Sequence, residues 1–91
     1  MQNSNRAVLT VLGRDAVGII AKVSAILSQH DVNILDISQT VLSSLFHMVM
    51  VVDLQEADFS ALAGELTELG AVLGLQVRIQ RSEIFDAMHR I

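Results

Sequence analysis

Residues 7–29 read AVLTVLGRDAVGIIAKVSAILSQ, and the change of period inside this stretch decides the fold. Ala7 to Leu12 is a short β-rich run closed by Gly13, which reads as a first strand. From Ala16 to Gln29 the apolar residues Ile19, Ile20, Val23, Ile26 and Leu27 share one helical stripe, with Lys22, Ser28 and Gln29 away from it. Asp15 stands where the N-cap of that helix belongs. A strand feeding directly into an amphipathic helix is half of a βαβ unit.

The rest of the chain supplies the other elements. His30 to Asn33 reads as a turn, and Ile34 to Leu42 as a second strand. In that strand Leu35, Ile37 and Val41 alternate with Asp36, Ser38 and Thr40, which predicts one buried face and one polar face. Ser43, Ser44 and Leu45 make a hairpin-length connection to a third strand, Phe46 to Leu54. Asp58 is placed to cap a second helix carrying Leu62, Leu66, Leu69 and Leu73, with Gly70 and Gly74 as stop signals. Leu75, Val77 and Ile79 then alternate with Gln76, Arg78 and Gln80 in a fourth strand. A last amphipathic segment, Ser82 to Ile91, puts Ile84, Phe85, Met88 and Ile91 near one side. The expected architecture is α+β: a ferredoxin-like βαββαβ sandwich, a four-stranded antiparallel sheet with two helices on one face, plus a short C-terminal helix.

Composition bounds what such a domain does. The chain of 91 residues has 52% apolar residues and no proline, with a mean hydropathy of +0.52. That is high for a small monomer, and predicts that apolar surface is buried between chains as a homodimer or larger. In the ferredoxin-like order the first and third strands lie at the sheet centre. Ala7–Leu12 and Phe46–Val52 are apolar on both faces apart from Thr10 and His47, so an apolar stripe is expected along the open face. The C-terminal segment is the one element of the chain left to cover it, in whole or in part.

Six basic residues against ten acidic ones give a formal charge of -4. Arg6, Arg14, Lys22, Arg78, Arg81 and Arg90 are scattered, and there is no Tyr or Trp, so nucleic acid is not an expected partner. No apolar stretch approaches the ~18 residues of a membrane helix, so no membrane partner is expected. Zero cysteines and a polar start, Met1 to Asn5, fit a cytoplasmic location.

Motifs for catalysis are absent. Gly13 to Gly18 has the glycine spacing of a P-loop, but Ile19 and Ile20 replace the Lys and Ser or Thr that hold phosphate and magnesium. There is no G-x-S-x-G elbow. His30, His47 and His89 are too dispersed for a local metal pair and read as packed or surface residues. Asp53, Glu56 and Asp58 read as a solvated turn before a helix rather than a cation site, so neither metal nor cofactor is expected.

Chemistry suited to a zwitterion is present at the first strand–helix turn. A helix N-terminus offers unpaired N–H groups and partial positive charge, which suits a carboxylate. Gly18 in the first turn leaves room for close approach, Asp15 can receive an ammonium, and Asn33 can reach the same region from this chain or another. Each has a plainer reading beside the functional one. Asp15 caps the helix, Gly18 permits tight helix–sheet packing, or Asn33 occupies a left-handed turn.

Gly13-x-Asp15-x-x-Gly18-Ile19, then Val23-Ser24-x-Ile26-Leu27, then Val32-Asn33-Ile34, on a βαββαβ chain, resembles an ACT domain over about residues 6 to 80. Residues 1–5 are then a polar tail, and 81–91 a C-terminal helical segment. Within the latter, Ile84-Phe85-Asp86-Ala87-Met88 resembles the tail of small stand-alone ACT proteins. The resemblance implies a regulatory module, commonly dimeric, with an amino-acid site between this loop and a neighbouring chain. Its residues here would be Asp15, Ala16, Val17, Gly18 and Ile19, with Asn33 and Ile34. In serine-regulated phosphoglycerate dehydrogenases, which the motif resembles, asparagines match Asp15 and Asn33. Two departures stand out. Val17 replaces the proline of the D-x-P-G form, and Asp31 replaces the glycine of the G-V-N-I form.

The sequence thus predicts a non-enzymatic ligand-sensing module that modulates a protein partner or its own assembly. The alternative is a ligand-free interaction or oligomerisation module. A small enzyme on the same fold, of acylphosphatase type, would need Arg14 to cradle an anion that Asp15 beside it opposes.

Overall fold

A computed structural model describes residues 5–14 and 17–81. The elements run β1 (Arg6–Arg14), α1 (Ile19–Gln29), β2 (Asn33–Leu42), β3 (Leu45–Asp53), α2 (Phe59–Leu73) and β4 (Gln76–Arg81). The sheet order is β2-β3-β1-β4, and every neighbouring pair is antiparallel. The expected ferredoxin-like βαββαβ arrangement is therefore the observed one. The expected C-terminal helix, residues 82–91, lies outside the described residues.

The core forms where the inward faces of β1 and β3 meet the helix stripes. Ala7, Leu9 and Val11 of β1 and Phe46, Met48, Met50 and Val52 of β3 are buried against Ile19, Val23 and Leu27 of α1 and Leu62 and Leu66 of α2. Leu54, Val32 and Leu75 close it at the element ends. Asn5, expected in the polar tail, is tied to the domain. Its carbonyl accepts from the Leu54 N–H at 2.7 Å, and its side-chain amide donates to the Gln55 carbonyl at 3.0 Å.

Each helix terminus has a local cause. Asp58 caps α2 as expected, its carboxylate accepting from the Ala61 N–H at 3.2 Å. Gly74 closes α2 in the left-handed region with φ 72°. Gly70 is a packing residue rather than a stop signal. A Cβ there would sit 2.8 Å from the Leu75 carbonyl oxygen and 3.0 Å from Val77 Cγ2. Helix α1 begins at Ile19 rather than Ala16, and its N-cap is Gly18, not Asp15. Asp15 and Ala16 themselves lie outside the described residues.

β2 departs from expectation. All ten of its residues are exposed, including Ile37 at 43% and Val41 at 51%. Neither helix covers this edge, so the predicted buried face is uncovered. A bulge between Ile34 and Asp36 leaves Leu35 without a cross-strand partner. It also shifts the alternation: Ile34, Ile37, Gln39 and Val41 stand opposite the inward-facing Val52, Met50, Met48 and Phe46.

Candidate functional site

The first half of the candidate site is the start of α1. Gly18 has φ 84° and ψ 9°, a left-handed conformation that costs an L-residue about 1–2 kcal/mol. A Cβ there would meet nothing within 4 Å. The requirement for glycine is thus conformational, and tight helix–sheet packing does not explain it. Among the described residues no side chain caps the helix, and no acidic residue occupies its first turn. The leading N–H groups of α1 therefore have no side-chain acceptor among the described residues, as an anion-receptive terminus requires. Val17 is fully exposed beside Gly18, and Ile19 is buried beneath the turn, fixing the helix to the sheet.

The second half lies at the other end of the same helix. There the N–H of Asp31 donates to the Ser28 carbonyl at 3.0 Å and that of Val32 to the Leu27 carbonyl at 2.9 Å. This paired closure needs a left-handed residue, and Asp31 takes it with φ 59°. So the left-handed turn falls on Asp31, while Asn33 is already the first residue of β2. The glycine at this position in the G-V-N-I pattern now has a physical reason.

Asn33 and Ile34 line an open groove of about 1210 Å³ together with Asn5, Ser24, Asp31 and Glu56, among others. Asp53 and Gln55 line it too, the Asp53 carboxylate accepting from the Gln55 N–H at 3.0 Å. With Asp31, Asp53 and Glu56 and no Lys or Arg among the described lining residues, the groove is acceptor-rich. His30, also in its wall, lies 3.1 Å from the Glu65 carboxylate and links the end of α1 to α2. Asp58, close to Asp53, Gln55 and Glu56 in sequence, is engaged as a helix cap.

Within one chain these halves do not meet. The 11-residue helix α1 and the turn after it separate Gly18 from Asn33, the helix alone spanning about 16 Å at 1.5 Å per residue. The chain brings Val17, Gly18 and Ile19 together at one end, and Asn33 and Ile34 together at the other. The sequence had no signal for the groove itself, because its wall is assembled from three stretches far apart in the chain: Asn5, residues 24–34 and residues 53–57. The exposure of both faces of β2 was likewise hidden, since alternation alone reads as half-buried.

A family profile described as ACT domain matches residues 5–80. A UPF0237 protein of Bifidobacterium longum is 54% identical over 89 residues, covering 96% of this chain and 99% of its own. A UPF0237 protein of Methanopyrus kandleri is 52% identical over 88 residues, covering 94% and 98%. Among solved structures, an ACT domain protein from Streptococcus pneumoniae superposes with a TM-score of 0.80 at 42% identity, covering 91% of this chain and 96% of that one. The regulatory subunit of aspartate kinase from Thermus thermophilus shares the fold with a TM-score of 0.67 at 24% identity, covering 86% and 52%.

Proposed function

This chain belongs to the ACT domain family, and from that premise we propose that it is a non-catalytic regulatory module sensing an amino acid at the seam between two copies of itself. The observation that carries this reading is the separation of the two half-sites. A helix start with no side-chain cap among the described residues lies at one end of α1 and Asn33 at the other, beside an edge strand exposed along its whole length. The β1–α1 turn lies at the same end of the sheet as the β2–β3 hairpin, since Arg14 stands opposite Leu45. Asn33 begins β2 at the opposite end, opposite Asp53. Antiparallel pairing of two β2 strands about a two-fold axis would lay Asn33 of one copy toward the β1–α1 turn of the other.

A zwitterion suits that composite site. Its carboxylate would take the free N–H groups at the start of α1. Its ammonium would face the acceptor-rich wall around Asn33 and the charge that Asp15 adds in sequence. Binding across a seam stabilises the assembled form over separated chains, and that differential is the signal passed to a partner protein. The absence of cysteine suits action in a reducing, cytoplasmic setting, and no described helix is long and apolar enough to cross a membrane.

The test is a thermal-shift screen against the twenty amino acids. A ligand present at about 100 times its Kd adds ~2.7 kcal/mol of stability, a readable shift for a domain this small. Asn33→Ala is expected to abolish that shift without unfolding the chain, because the residue is exposed. If no amino acid moves the transition, the second reading stands: a ligand-free assembly module, favoured by the uncovered β2 edge alone.

A further inference from the structure

The sheet has a second surface, opposite the helices, and the register defines it. Val8, Thr10 and Leu12 of β1 stand opposite Val51, Val49 and His47 of β3. On the other side of β1 the same three residues face Gln80, Arg78 and Gln76 of β4. An apolar stripe two strands wide thus runs up the middle, with polar residues on β4 to one side and Asp36, Ser38 and Thr40 of β2 to the other. The stripe ends in Leu12 at 42% exposure and Leu45 at 52%. None of the six described elements lies over this face, since both helices pack on the opposite one.

We infer that the segment 82–91 of the same chain is the occupant of this face, docking as an amphipathic helix along the β1–β3 stripe. Three features of the chain select it. β4 ends at Arg81, which pairs with Ala7 at the foot of the stripe, so the segment starts where it has to land. Ile84 to Ile91 spans about 11 Å as a helix, and Val8 to Leu12 spans about 13 Å as strand, so the lengths match. Ile84, Phe85, Met88 and Ile91 share one side at a helical period, and Glu83, Asp86, His89 and Arg90 fall on the other. A helix about 10 Å wide covers two strands spaced near 4.8 Å, which is the width of the stripe. The inference is independent of the amino-acid site, and it leaves the β2 edge as the free surface for a second copy.

Because the chain contains no cysteine, two introduced thiols form a unique pair for a short bis-maleimide. Thr10→Cys marks the centre of the stripe, and Ala87→Cys marks the flank of the apolar side without removing any of its four large residues. Ser60→Cys with Ala87→Cys is the control. Ser60 follows Phe59, whose ring lies 4.9 Å from the Arg81 guanidinium, so an undocked segment reaches it at least as readily as Thr10. The expected result is cross-linking of the Thr10 pair at least roughly tenfold faster than the Ser60 pair, at a rate unchanged by dilution. Mixing isotopically heavy and light chains should give no mixed product. Phe85→Asp should lower the Thr10 rate to that of the control. Val49→Cys, opposite Thr10 on β3, provides the same reading should Thr10→Cys fail to fold. Equal rates for the two pairs, or products joining heavy to light chains, overturn the inference.

Discussion

β2 and β4 both run along an edge of the same sheet, and both alternate apolar with polar residues, yet only β4 lies under a helix. Val77 and Ile79 of β4 are partly buried and pack against the core. Gly70 allows this approach, since any side chain at that point of α2 would collide with Leu75 and Val77. The matching apolar residues of β2, Ile37 and Val41, lie under neither α1 nor α2 and stay about half exposed. Alternation therefore records only that one face of a strand is apolar. Whether that face is finished within the chain depends on where the helices cross, and here they leave one edge unfinished.

The largest expected effect lies on the unfinished edge. Replacing Ile37 and Val41 together with lysine should leave the monomer folded and weaken self-association by at least about 100-fold, or ~2.7 kcal/mol, read by sedimentation equilibrium. A wild-type mass that stays at 9.9 kDa into high micromolar concentration would break the comparison outright. The finished edge should respond in the opposite way. Val77→Asp introduces a charge into partly buried surface and should cost about 2–3 kcal/mol of folding stability in urea. An assembly defect with unchanged stability would show that β4 is the working edge instead.

Two glycines of α2 sharpen the point at smaller scale. Gly70→Ala forces its new Cβ against the Leu75 carbonyl, and the resulting strain should outweigh better helix propensity, for a net loss of about 1–2 kcal/mol. Gly64→Ala lies in the same helix with nothing within 4 Å of its Cβ, and should gain about 0.5–1 kcal/mol. Equal signs for the pair would mean that α2 does not press on β4 as described. The smallest effect is expected at the turn into β2. Asp31→Gly relieves a left-handed residue at φ 59° and should stabilise the fold by a few tenths to about 1 kcal/mol.

The fold was legible because its signals are local. The period change across Gly13–Gly18, the leucine spacing of α2 and the Asp58 cap each specify an element with little help from the rest of the chain. The site was legible only in pieces. Gly18 stands out in the sequence, but the structural reason for a glycine there is a positive φ, which spacing alone does not distinguish from a packing need. Asp15 was read as the cap because acidic residues favour that position, whereas α1 starts three residues later and is capped by a glycine. The plainer reading of Asn33 places it in a left-handed turn by residue preference, but that turn falls on Asp31, since the closure pattern from Leu27 and Ser28 dictates the position. Distance between half-sites is a tertiary property, and no run of sequence encodes it.

The extra residue at Leu35 has one more consequence. A regular strand locks the orientation of its first side chain to that of its last, so any change of aim at one end reverses the other. The bulge cuts that linkage: Asn33 and Ile34 keep one parity, and Asp36 to Leu42 keep another. The short end that meets the groove and the long exposed edge that follows it are thereby separately adjustable. Removing Leu35 would couple them again, and relatives could retune what the short end recognises without shifting the phase of the long one.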